Sequence, residues 1–172
     1  MVKKGKVLWE GKPSEKLWIA QTLLVGIPFL VLIIIFWAPF LMSFVFLREL
    51  SFLPFIVGVP VLILVVPLLI ITIYFKALFK TYRYWVDEEG VNFQGGIFYR
   101  RKKFVPYYKI TNVDVAQTFV DIIFGIYRVN IQTAGIGLRR PEISFLGLGK
   151  DEAEEVEGII KERLKKIRVL GD

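Results

Sequence analysis

Two stretches of the chain carry no charged residue at all, positions 17–47 and positions 50–75, and only Arg48-Glu49 parts them. Each is longer than the roughly 20 apolar residues that cross a bilayer as a helix. The pattern predicts two membrane-spanning helices, near residues 18–40 and 55–75, with residues 43–51 in the far interface. The first run is too long for a cleavable signal sequence, and no small-residue cleavage site follows it, so it reads as a retained anchor. Pro28, Pro39, Pro54, Pro60 and Pro67 fall inside or beside the spans. They predict kinks, which lipid tolerates where the freed carbonyls find other partners. Neither run holds an ionisable group mid-span, which argues against a pump or transporter.

After residue 75 the pattern changes to period two. Tyr82, Tyr84 and Val86 alternate with Arg83, Trp85 and Asp87; Glu88-Glu89-Gly90 is a turn signal, and Val91-Asn92-Phe93 follows. That reads as a hairpin. Gly95-Gly96 is a second turn, before a third extended run over 97–105 that Pro106 ends. Further strands are predicted over 109–115, 127–133 and 142–146, with a helical turn over 118–124 stopped by Gly125. Residues 135–141 are a linker between the last two strands. The tail is different: Ala153, Val156, Ile160, Leu164 and Ile167 recur at helical spacing. Acids open this segment and bases close it, as a helix dipole favours, and Asp151 is the expected cap. A helix with one apolar stripe needs a surface to cover, and the strand layer offers it. The expected fold class is a membrane α-helical hairpin followed by an α+β domain, an antiparallel β-barrel or sandwich capped by one C-terminal amphipathic helix. The expected boundaries are an N-terminal segment 1–16, a hairpin 17–75 and a soluble domain 76–172.

Composition sharpens this picture. Of 172 residues 55% are apolar, and the mean hydropathy is +0.54, which excludes a plain cytosolic protein. There is no Cys and no His. Disulfides, thiolate chemistry, imidazole ligation and Ser-His-Asp catalysis are therefore excluded. The net charge is +7. Lys3, Lys4, Lys6, Lys12 and Lys16 precede the first span, and Lys76, Lys80 and Arg83 follow the second. By the positive-inside bias both termini are cytoplasmic and the short loop lies outside, in a multi-pass protein of the cell membrane.

Several motifs lie in this order: Tyr82-Arg83-Tyr84, Glu88-Glu89-Gly90-Val91, Gly96-Ile97-Phe98-Tyr99-Arg100-Arg101, Val105-Pro106-Tyr107, Ile110-Thr111-Asn112-Val113, Phe124-Gly125-Ile126 and Val129-Asn130-Ile131-Gln132-Thr133-Ala134-Gly135. From about Trp9 to the C-terminus the chain resembles the bacterial and archaeal pleckstrin-homology-like membrane proteins of the second type. The resemblance implies a pleckstrin-homology-like (PH-like) domain behind two transmembrane helices, without a shared catalytic residue. Members often carry a base two positions before the apolar pair that precedes the glycine. This chain reads Asp121-Ile122-Ile123-Phe124 there, so a ligand contact by that base is in doubt.

Enzyme motifs do not emerge. No phosphate-binding loop and no G-x-G-x-x-G occurs, no calcium loop is present, and Glu88-Glu89 sit in a turn where acids are solvated. No catalytic residue, metal or cofactor is expected. The dense cationic run Arg100-Arg101-Lys102-Lys103, with Lys76, Lys80, Arg83, Arg139 and Arg140, is the candidate contact set for anionic inner-leaflet lipids or a partner. Each base near such a leaflet is worth about 1 kcal/mol. The plainer reading is a topogenic or solvated cluster. Aromatics between the bases suit a core and interfacial anchors better than nucleic-acid stacking, so no nucleic acid is expected. The expected function is a membrane-anchored, non-enzymatic PH-like binding or scaffolding module at the cytoplasmic face, with lipid headgroups, a protein partner or a second copy as its contacts. The alternatives are a subunit of a larger envelope or transport complex, in which Gly26 and Gly58 mark helix contacts, and a small membrane-bound enzyme using carboxylates and lysines.

Overall fold

The computed structural model describes residues 6–47, 53–134 and 141–171. Lys3, Lys4, Arg48, Glu49, Arg139 and Arg140 lie outside the described residues, as does most of the 135–141 linker. The chain forms two compact units, one of Trp18–Phe75 and one of Met1–Leu17 with Lys76–Asp172.

In the first unit, helix α1 (Lys16–Leu47) and helix α2 (Leu53–Lys80) carry the two apolar runs. At 1.5 Å per residue they are about 48 and 42 Å long, more than the roughly 30 Å of a bilayer's hydrocarbon core. Their apolar side chains point outward: Phe36 is 72% exposed, Leu62 65% and Ile73 66%. Apolar surface of this extent is what a lipid environment covers, and the segments Lys16–Pro39 and Val61–Lys80 meet the length and hydropathy of membrane spans. The chain is a membrane protein. The second segment extends past the expected end at 75, because α2 continues through Lys76 and Lys80. Their long stems let a helix run on while the charged ends reach polar surroundings. Hydroxyls inside the helices are satisfied locally: Thr22, Ser43 and Thr72 donate to the carbonyls of Trp18, Pro39 and Leu68 at 2.8, 2.8 and 2.7 Å. The helices approach closely at Gly26, where a Cβ would lie 2.9 Å from Leu68, whereas Gly58 faces open space.

The second unit starts earlier than expected. Residues Val7–Gly11 form strand β1, which pairs antiparallel with β2 (Arg83–Asp87). Strands β3 (Gly90–Gly95) and β4 (Arg101–Pro106) complete a four-stranded meander in the order β1-β2-β3-β4. A 3-10 turn, Tyr107–Lys109, leads to β5 (Ile110–Ala116), which forms the second sheet with β6 (Tyr127–Thr133) and β7 (Ile143–Leu148), in the order β5-β6-β7. Helix α3 (Phe119–Phe124) links β5 to β6, and α4 (Lys150–Gly171) closes the domain. The third extended run is shorter than expected. Residues 97–100 are loop, and β4 begins only at Arg101. At Gly96 φ is +118°, and a Cβ would meet the Tyr99 carbonyl at 2.0 Å. A wider loop results, which only glycine permits.

The core lies between the sheets. Trp9 stacks on Phe145 at 6.0 Å, and Phe145 on Tyr84 at 4.6 Å. The Tyr84 hydroxyl exchanges hydrogen bonds with the Leu146 backbone, and burial pushes its pKa upward. Tyr107 donates to the Asp87 carbonyl at 2.8 Å, and its pKa is pushed up to about 12, mainly by burial. Ala153, Val156 and Ile160 of α4 are fully buried on this core, as their spacing predicts, while Ile167 is 40% exposed. Asp151 is not the cap: α4 begins at Lys150, and the Glu152 carboxylate accepts the Gly149 N–H at 2.9 Å.

Candidate functional site

The strand directions bring both membrane attachments to one end of the domain. β1 runs out through Gly11 towards α1, and β2 enters from α2 at Arg83. The register sets Gly11 opposite Tyr84, Arg83 opposite Gln94, and Gly95 opposite Arg101. The loop between β3 and β4 is therefore at this end as well. Its position is fixed by the Thr81 hydroxyl, which accepts the Gly96 N–H at 2.9 Å. The second sheet presents the junctions β5–α3–β6 and β7–α4 here. Ser14 N–H donates to the Gly147 carbonyl at 2.7 Å, and the buried Leu17 packs on Gly147, where a Cβ would lie 2.9 Å away. At φ +75° glycine suits both this contact and the backbone turn.

The cationic run divides at this end. Arg100 projects from the β3–β4 loop, and the Arg101 guanidinium lies 5.1 Å over the Tyr99 ring. Lys102 points to the outer face of the first sheet, 5.7 Å over Trp85. Arg83, Gln94 and Lys102 stand in one cross-strand row on that face. With Val7, Glu10 and Trp85 they line a shallow cleft of about 170 Å³. Lys103 belongs elsewhere. Its side chain takes the opposite face, where it donates to the Glu142 carbonyl at 2.7 Å and pairs with the carboxylate at 3.2 Å. The period-two rule permits this separation, since adjacent strand residues face opposite ways. Lys76 and Lys80 lie exposed on the last turns of α2.

Three features escape the sequence pattern. Lys12 and Lys16 line a second recess with Ser14, Gly125 and Glu152, so the cationic rim continues across the β1–α1 junction and meets an acid from α4. Asp121, wholly buried, is clamped by Arg128 through Nε and through Nη2, the latter at 3.0 Å. Thr118 adds a capping box, with its N–H and hydroxyl at 2.9 and 2.7 Å from the same carboxylate. Burial opposes ionisation of Asp121, but Arg128 and Thr118 outweigh it and hold its pKa below the usual carboxylate range. Asp114 is the third: it accepts from Asn130 and Gln132 at 3.1 Å each, while Ser144 donates to Asn130 at 2.8 Å. The Asn-Ile-Gln-Thr stretch thus laces the second sheet.

Glu88 and Glu89 stay exposed in their turn, which Asp87 organises by accepting the N–H groups of Glu89 and Gly90. Among the described residues no group of three or more Asp or Glu is arranged to hold a metal ion.

No curated protein and no solved structure matches the chain. A family model described as Bacterial PH domain matches residues 17–164, from the buried Leu17 to the last packed turns of α4. With that match over most of its length, two sheets in PH-like order and a closing helix, the chain belongs to the Bacterial PH domain family.

Proposed function

We propose that the protein is a membrane-tethered, non-enzymatic PH-like module whose cationic rim engages anionic headgroups of the cytoplasmic leaflet. One observation carries the reading: Arg83, Arg100, Arg101 and Lys102 gather at the end of the domain to which both membrane helices attach. The helical unit begins at Trp18 and ends at Phe75, so only a few residues of chain lie between the spans and β1 or β2. At about 1 kcal/mol per base, four bases add a few kcal/mol of salt-sensitive attraction. Lys12, Lys16, Lys76 and Lys80 add to that field, and Glu10 and Glu152 reduce it. Lys103 contributes little, because Glu142 neutralises it.

The test uses the full chain in nanodiscs. In discs containing phosphatidylglycerol the amides of residues 97–102 should exchange at least several-fold more slowly than in pure phosphatidylcholine. High salt, or the combined change Arg100→Gln, Arg101→Gln and Lys102→Gln, should remove the difference. Equal exchange in both lipids at low salt would eliminate the headgroup contact.

The same charges support an orientation with both termini in the cytoplasm. Protease outside sealed right-side-out vesicles should then leave the C-terminal domain intact. Rapid cleavage in that domain would reverse the topology.

A further inference from the structure

Helix α3 is inside out. Its one charged residue, Asp121, is wholly buried, while Phe119 is 77% exposed, Ile122 61% and Ile123 64%. A short helix in water does the reverse, turning its apolar side chains inward. Here it cannot roll over. The Arg128 clamp and the Thr118 capping box hold Asp121 inside, and rotation would strand that carboxylate without partners. The apolar face is thus held outward by design of the polar contacts beneath it.

Its surroundings point to one occupant. Gly125 and Ile126, just after α3, line a recess with Lys12, Ser14 and Lys16, the residues that lead into α1. Leu17, next in the chain, is pinned against Gly147, and the apolar span is already under way from Lys16. At the same end the β3–β4 loop exposes Tyr99 (71%) beside Phe98 and the cations Arg100 and Arg101. Apolar side chains rimmed by lysine and arginine, close in the chain to the start of the first span, match the composition of an interfacial anchor.

We propose that Phe119, Ile122 and Ile123 of α3 insert into the interfacial layer of the leaflet from which α1 and α2 emerge, with the β3–β4 loop as a second point of contact. Two contacts would set the tilt of the domain on the bilayer, which a tether alone leaves free. The inference deepens the proposed leaflet contact but needs no anionic lipid, since the driving force is burial of apolar surface.

The absence of cysteine makes the experiment clean. Ile122→Cys in the full chain is labelled with a nitrobenzoxadiazole probe and reconstituted in phosphatidylcholine nanodiscs. Tyr108→Cys, 75% exposed at the opposite end of the domain, is the reference. The probe at 122 should be quenched several-fold more than the one at 108 by lipids carrying a shallow doxyl group. It should also be several-fold less accessible to aqueous iodide. Ile123→Cys repeats the measurement should the first label disturb α3. Equal iodide quenching at the two ends would overturn the proposal. Protection from iodide without doxyl quenching would also overturn it, and would assign the face to a second copy or another protein. Failure of the headgroup reading leaves this result standing, because the discs carry no net charge. Failure of insertion leaves the salt-dependent protection of residues 97–102 intact.

Discussion

A fragment that begins at Lys76 and keeps everything after it should not fold cooperatively, although it contains six of the seven strands and both α3 and α4. It lacks β1, and with it Trp9, whose ring covers Phe145 in the centre of the core. The loss leaves the edge of β2 unpaired along Val7–Gly11 and uncovers the stack of Tyr84 and Phe145. In the full chain the milder change Trp9→Ala should cost about 3–5 kcal/mol, the usual range for deleting a large aromatic from a core. A urea titration followed by near-UV circular dichroism checks both. A sharp transition with native aromatic signal in the fragment would mean that β1 is dispensable. A Trp9→Ala loss below about 1 kcal/mol would remove Trp9 from the core.

Asp121→Ala should be nearly as damaging, at about 3 kcal/mol. It strands Arg128, whose side chain keeps only 21% exposure, and dismantles the capping box of α3 in one step. Because Arg128 retains some contact with solvent, the low end of the range for broken buried pairs applies. The pH dependence carries a definite sign. The folded pKa of Asp121 lies below its unfolded value of about 3.9, so its stabilising effect is fully present above about pH 4. That effect disappears as pH falls through the lower folded value. The stability gap between the native chain and Asp121→Asn should therefore stay flat from neutral pH to about pH 4 and close only below it. Denaturation midpoints measured across that range decide the matter. A gap closing between about pH 6 and 5 would mean a raised pKa and a failed clamp. Loss of the clamp should also release α3, so the variant ties stability to the exposed apolar face of that helix.

Much of this molecule is legible without coordinates. Uncharged runs longer than a bilayer announce two spans, because the hydrophobic requirement acts locally on consecutive residues. Alternation marks β2 and β6, turn signals set off β3, and the stripe of Ala153, Val156 and Ile160 foretells which side of α4 is buried, because both periods follow from backbone geometry alone. The turn at Gly90 and the stop at Gly125 are equally local.

What the sequence could not determine is whatever depends on partners distant along the chain. Val7–Gly11 is a strand only because β2 lies beside it, yet both membrane helices intervene between the two, and five residues carry too little pattern to announce a pairing across that gap. The cationic run reads as one feature in sequence, but tertiary contacts divide it: Glu142 captures Lys103, Trp85 underlies Lys102, and the Gly96 turn leaves Arg100 outside the strand. Even Asp121 and Arg128, only seven residues apart, meet because the chain turns between α3 and β6, and that bond holds the isoleucines of α3 outward against their own preference for burial. Local periodicity determined which segments enter the membrane and which form strands. The gathering of cations at one end of the domain, and the outward apolar face of α3, were decided by contacts in space, since hydrogen bonds and ion pairs depend on distance in space and not on separation along the chain.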